Sequence, residues 1–180
     1  MKALILTVGL VALSSQAFAQ RSSYYFQAGG SYITNKEVGI PLELEYFLRL
    51  GMGWDLSPHW SVGGKYQQVF YRGNSREFDR MWLGGPYVRR YIAPDDRFRL
   101  YGEGGVMLGN YCTCGNTNGA NYRSPGIWYL SLGGGFEWRV WRGLHLDVGF
   151  YVQNLLNRPR PKYSPNVYLL GLLYRFNEGR

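Results

Sequence analysis

Few side chains in this chain could do chemistry, and they fall into four sets. Cys112 and Cys114 flank a single threonine. In an oxidising compartment, thiols so spaced form a strained local bridge or bridges between molecules, or else hold a soft metal. The two histidines, His59 and His145, have no acidic cluster beside them, so neither a metal site nor a nucleophile with its base is spelled out. Arg72, Arg76, Arg123, Arg158, Arg160 and Lys162 form the cationic set, and prolines stiffen the run from Asn157 to Lys162. Guanidinium forks suit phosphate oxygens, so this set is where an anionic ligand would bind. The last set mixes signs: Glu43, Glu45, Asp55, Glu103, Glu137 and Asp147 against Arg49, Lys65, Arg99 and Arg139. No catalytic residue, cofactor-binding residue or metal ligand is assigned among them. What each set does depends on the elements that hold it.

The first of those elements does not stay. Met1-Lys2 is a basic start, Ala3 to Leu13 is apolar, and Ala17-Phe18-Ala19 is a small-x-small cleavage site. This reads as a secretory signal peptide over residues 1–19, cut after Ala19, with one domain over 20–180. After Ala19 no apolar run reaches the ~20 residues of a membrane helix. The chain carries 25 Gly, 16 Tyr, 9 Phe and 6 Trp with a mean hydropathy of −0.28, as expected where only alternate residues face lipid. The formal charge of +8 would ordinarily suggest nucleic acid, but an exported chain without a basic, aromatic-laced stripe gives no such partner.

Apolar and polar residues alternate with period two nearly throughout. From Leu42 to Leu56 the even positions Leu42, Leu44, Tyr46, Leu48, Leu50, Met52, Trp54 and Leu56 share one face, while Glu43, Glu45, Arg49 and Asp55 share the other. Alternation over this length predicts a strand, and a long one. The same pattern gives Tyr24–Thr34, Leu42–Leu56, Trp60–Arg72, Phe78–Ile92, Phe98–Tyr111, Gly126–Val140, Leu144–Leu155 and Asn166–Phe176. In the fourth, Pro86 and the pair Arg89-Arg90 leave the choice of face open, and Pro86 calls for a bulge or a non-ladder position. Connections of turn-forming residues at 57–59, 93–97 and 141–143 alternate with connections at 35–41, 73–77, 112–125 and 157–165, most of which are longer.

Short turns at one end and longer loops at the other predict an all-β fold: an eight-stranded antiparallel transmembrane up-and-down β-barrel with its turns in the periplasm. A soluble barrel would bury the apolar set instead, but a soluble exterior would carry interspersed lysine, and Lys65 is the only lysine in the predicted strands. Aromatic residues near the tight turns (Trp54, Trp60, Tyr91, Phe98, Trp138, Trp141 and Phe176) suit a headgroup girdle. The lumen of so small a barrel holds only side chains, so the mixed-sign set is expected to pair there. The cations and cysteines then fall on the outer loops, and both histidines at the turn end.

The run Gly133-Gly134-Gly135-Phe136-Glu137-Trp138-Arg139-Val140, a turn, and Leu144-His145-Leu146-Asp147-Val148 resembles the penultimate hairpin of the outer-membrane β-barrel domain family. This is the porin-like superfamily that includes the small outer-membrane protein A type barrels. Gly85-Pro86-Tyr87-Val88-Arg89-Arg90-Tyr91 is similar to the fourth strand of such proteins, and the alternation ending at Phe176 to their C-terminal assembly signal. Here Asn177 to Arg180 follow that aromatic, a departure from the pattern. The resemblance implies an integral outer-membrane location, contact with lipid and lipopolysaccharide, and biogenesis through the barrel-assembly machinery. The expected protein is a monomeric, non-enzymatic envelope barrel without cofactor, acting in envelope structure or in surface adhesion and ligand binding. A narrow porin-like pore is the alternative, and a lipid-modifying outer-membrane enzyme the third reading.

Overall fold

In the computed structural model the described residues are 23–34, 45–70, 80–95, 97–113, 122–123, 126–157 and 166–176. The expected signal peptide over residues 1–19 and Glu43, Arg72, Arg76, Cys114, Arg158, Arg160 and Lys162 lie outside them. The strands are β1 (Tyr24–Thr34), β2 (Glu45–Ser57), β3 (Trp60–Phe70), β4 (Arg80–Pro94), β5 (Phe98–Thr113), β6 (Tyr122–Arg123), β7 (Ile127–Trp141), β8 (Leu144–Leu155) and β9 (Asn166–Arg175). Each long strand pairs antiparallel with its sequence neighbour, and β9 returns to β1. The result is a closed eight-stranded barrel, which leaves no long edge unpaired. The two-residue β6 extends the wall beyond β7 by pairing Arg123 with Cys112 and Tyr122 with Thr113. Part of the segment expected to be the loop 112–125 is therefore ladder.

The three tight turns share one end, and each has a register shift beside it, at Asp55/Ser57, Tyr91/Ala93 and Arg139/Trp141. Such bulges increase local twist where the chain reverses. At the first turn the Ser57 hydroxyl accepts from the backbone N–H of His59 (3.3 Å) and of Trp60 (3.1 Å), the local competition with the ladder that makes serine a turn residue. Ser23 and Phe176 are held at the same end by Asp55 N to Ser23 O (2.9 Å) and Phe176 N to Tyr24 O (2.8 Å).

The apolar face points outward. Leu48, Leu50, Met52, Trp54 and Leu56 are exposed, while Arg49 and Asp55 between them, and Phe47 just before them, are buried. A continuous exposed apolar belt of this kind is stable only against lipid. Trp54, Trp60, Phe98, Trp138, Trp141 and Phe176 ring the turn end, and Phe70, Trp82, Trp128 and Tyr168 ring the other. Trp60 and Phe70 bound the 11 residues of β3, which at ~3.3 Å rise and ~40° tilt separate the rings by ~25 Å. That matches the apolar band of an outer membrane. Tyr91 departs from its expected place in the girdle. It is 2% exposed because it shares the inward parity of Tyr87 and Arg89, and the bulge that resets β4 comes only after it.

Candidate functional site

The lumen has two storeys. Toward the turn end it holds charge: Arg49, Lys65, Arg89 and Arg175 are buried with Asp55, Glu103, Glu137 and Asp147, so the signs balance. Glu103, on β5, is the hub. Its Oε1 accepts from Arg49 Nη2 (2.7 Å) and Lys65 Nζ (2.8 Å), and its Oε2 from Arg89 Nε (3.0 Å) and Nη2 (2.7 Å). Arg89 also donates to Glu137 Oε1 (2.5 Å) and lies 3.6 Å from Asp147 Oδ2. Arg175 carries the chain of pairs onward, donating to Glu137 Oε2 (2.7 Å), to the Tyr91 hydroxyl (2.6 Å) and to Asp55. Cations from β2, β3, β4 and β9 are thus tied to carboxylates from β2, β5, β7 and β8.

Tyrosines fill the space between these charges. Tyr101 donates to Asp147 Oδ1 (2.7 Å), Tyr91 to Glu137 Oε1 (2.8 Å), and the hydroxyls of Tyr25 and Tyr87 meet at 2.7 Å. Gln27 Nε2 completes the shell of Asp147. The guanidinium of Arg89 lies 3.9 Å from the Tyr101 ring centroid and that of Arg49 4.5 Å from Tyr151, where a ring face attracts a cation. Rings can lie across so narrow a lumen because the positions opposite them are glycine. A Cβ at Gly133 would stand 2.5 Å from Tyr151 Cδ1, and one at Gly63 2.8 Å from the Tyr87 hydroxyl. The inward glycines of the alternating pattern are places left for tyrosine.

Toward the loop end the lumen is apolar. Phe47, Val69, Met81, Leu83, Met107, Ile127, Tyr129, Val167 and Leu169 form one cluster, with Val69, Leu83, Met107 and Val167 fully buried. Gln153 Nε2, donating to Gln67 Oε1 (3.1 Å), lies between the storeys. The buried plug and the ion network together fill the described lumen, with Arg49 Nε, Arg175 Nε and Asp55 Oδ1 the network atoms that have no hydrogen-bond partner among the described residues. Chemically, the network is a set of struts: each carboxylate is held by cations or hydroxyls, and none is turned toward an open cleft.

Of the residues singled out from sequence, the structure unites Arg49, Lys65, Glu103, Glu137 and Asp147, together with Asp55. Arg99 and Arg139 are half-buried near the tight turns, Arg99 with its guanidinium 6.0 Å from the Tyr91 ring centroid. Glu45 is paired with Ile33 at the loop end of β2, but its side chain is not among those described. The same holds for Cys112 and Arg123, which face each other in the β5–β6 ladder. His59 lies exposed in a tight turn and His145 is buried in the lumen near another.

Sequence reasoning missed Arg89 and Arg175 as members of the network. For Arg175 the signal was present: Tyr174 and Phe176 face outward, so the residue between them faces in. For Arg89 it was not, because Arg89 and Arg90 are chemically the same and only the register decides between them.

Residues 5–176 match the model of a family described as the outer membrane protein beta-barrel domain. No curated protein matches the sequence. Among solved structures, the chain is similar to the attachment invasion locus protein Ail of Yersinia pestis at 18% identity and a TM-score of 0.63, over 87% of this chain and 99% of that one. Ail has also been solved in complex with the heparin analogue sucrose octasulfate. Neisserial surface protein A is similar at 13% identity and a TM-score of 0.66, over 86% and 97% of the two chains. The N-terminal β-barrel domain of Pseudomonas aeruginosa OprF is similar at 14% identity and a TM-score of 0.61, over the same shares, 86% and 97%.

Proposed function

The chain belongs to the outer membrane protein β-barrel domain family, and from that premise we propose that it is a non-enzymatic envelope protein. Its barrel is a closed, rigid scaffold, and its outer loops act in envelope structure or in adhesion by holding an anionic surface ligand. The observation that carries this reading is the double closure of the lumen, by an ion network in one half and an apolar plug in the other. A barrel so filled supports loops better than it conducts. The positions of the histidines support the non-enzymatic part, since both lie at the turn end, away from the loops. In this reading the signal peptide is removed after Ala19, the barrel-assembly machinery inserts a monomer, and the tight turns lie in the periplasm.

The ligand-binding groups are Arg72, Arg76, Arg123, Arg158, Arg160 and Lys162, whose forks and ammonium suit phosphate or sulfate oxygens. The Ail complex with a polysulfated sugar supports a polyanion, and the phosphates of lipopolysaccharide are the ligand at hand. Replacing Arg158, Arg160 and Lys162 together by Gln should weaken lipopolysaccharide binding and lessen its dependence on salt. Unchanged affinity would end the ligand assignment. In planar bilayers the purified barrel should show no steady conductance, and a steady open level would replace the closed scaffold by a narrow pore.

A further inference from the structure

The lipid-facing wall is not covered evenly. On β3, β4 and β5 several outward positions are Gly64, Pro86, Gly102 and Gly104 in place of long side chains. A shallow apolar groove of about 440 Å³ lies there, its sides formed by Trp54, Val62, Val88 and Val106 and its floor by Gly104. No atom packs within 4 Å of the place where a Cβ on Gly102 would stand, so the gap continues toward the turn end. Arg90 is beside that gap, paired with Trp60 on one side and Gly102 on the other. Its side chain faces outward, and its guanidinium lies 5.4 Å from the Trp60 ring centroid. Trp60 is the first residue after a tight turn, which sets this cation at the level of the aromatic girdle, where headgroups lie. An arginine on the lipid face is costly at the midplane and cheap at the interface, and long cationic side chains reach toward the interface.

We propose that Arg90 and the adjoining groove form a site for one anionic phospholipid of the turn-side leaflet. The phosphate accepts hydrogen bonds from the Arg90 guanidinium, which Trp60 orients from beneath, and one acyl chain lies along Val62, Val88, Gly104 and Val106. Charge complementarity at one end of an apolar trough selects a lipid, where a bare cation would take any anion and a bare trough any chain. The inference rests on the barrel crossing the membrane and is independent of what the outer loops bind.

The test is native mass spectrometry of the folded barrel in zwitterionic micelles, titrated with phosphatidylglycerol, with phosphatidylcholine of the same chains, or with inorganic phosphate. One phosphatidylglycerol should be retained at least ~5-fold more tightly than phosphatidylcholine, a modest return for one charge-assisted contact. Arg90→Gln should erase that preference, and Gly104→Leu, whose side chain enters the groove, should lower retention of both lipids. Arg142→Gln removes another turn-end cation, 5.7 Å from the Trp141 ring centroid and away from the groove, and should leave the preference intact. Equal retention of the two lipids by the unaltered barrel, or a preference that survives Arg90→Gln, overturns the proposal. So does displacement of the lipid by inorganic phosphate, which would mark a free-anion site. Heat-modifiable gel migration establishes that each variant is folded. If Gly104→Leu does not fold, the Arg90→Gln comparison decides alone.

Discussion

Glu103→Gln is the sharpest probe of the lumen, because the substitution keeps shape and volume and removes only charge and acceptors. Glu103 is fully buried and binds Arg49 and Lys65 through one oxygen and Arg89, twice, through the other, at 2.7–3.0 Å. A glutamine amide has one acceptor oxygen, so whichever side it serves, its NH₂ confronts donors on the other. About two hydrogen bonds to charged groups are then lost, at ~1.5–3 kcal/mol each, and three cations keep their burial without their shared anion. That count gives ~3–6 kcal/mol, and breaking a buried pair by removing one partner typically costs ~3–5 kcal/mol, so the two agree on a loss of about 3–5 kcal/mol. The assay is urea unfolding in lipid vesicles, followed by tryptophan fluorescence and by heat-modifiable gel migration. Adding Lys65→Met removes one stranded cation, so the double variant should recover at least ~1 kcal/mol relative to additivity. A loss below ~1 kcal/mol for Glu103→Gln, or strict additivity of the pair, would refute the view of Glu103 as the hub that neutralises three cations.

Arg175→Lys should cost ~1–3 kcal/mol in the same unfolding assay, because an ammonium cannot span Asp55, Tyr91 and Glu137 as the guanidinium does; a neutral result would mean a point charge suffices. Met107→Ala empties a fully buried position of the apolar plug and should cost ~2–5 kcal/mol, read as a lower urea midpoint at unchanged slope. The glycines should divide sharply. Gly133→Ala places a Cβ against Tyr151 and the Phe150 carbonyl and should lose the folded gel band, whereas Gly102→Ala meets nothing within 4 Å and should migrate as the unaltered barrel does.

Much of the architecture was legible from local pattern. The bounds of β1 and β8 coincide with the alternating runs that predict them, and the outward set of β2 follows its even positions. The pleat itself has period two, so each strand writes its two faces into its own sequence. Turn residues at 57–59 and 141–143 likewise act within a few bonds of themselves. The orientation of β4 was not legible in this way. Its sequence permits either face to point inward, and the decision came from pairing Arg89 with Ser61 and Glu103 on neighbouring strands. Tyr91 went from expected girdle to lumen for the same reason.

The sequence alone determined that this chain makes eight alternating strands and has charges of both signs to place inside them. The tertiary structure alone decided which charges meet. Glu103 gathers cations from β2, β3 and β4, and Arg175 reaches carboxylates on β2 and β7. Those encounters depend on the stagger between strands when the barrel closes, a property of the whole sheet. The apolar plug was hidden likewise: Phe47, Val69, Leu83, Met107 and Val167 occupy nominally polar faces of separate strands. They become one cluster only when closure brings those faces around a common axis.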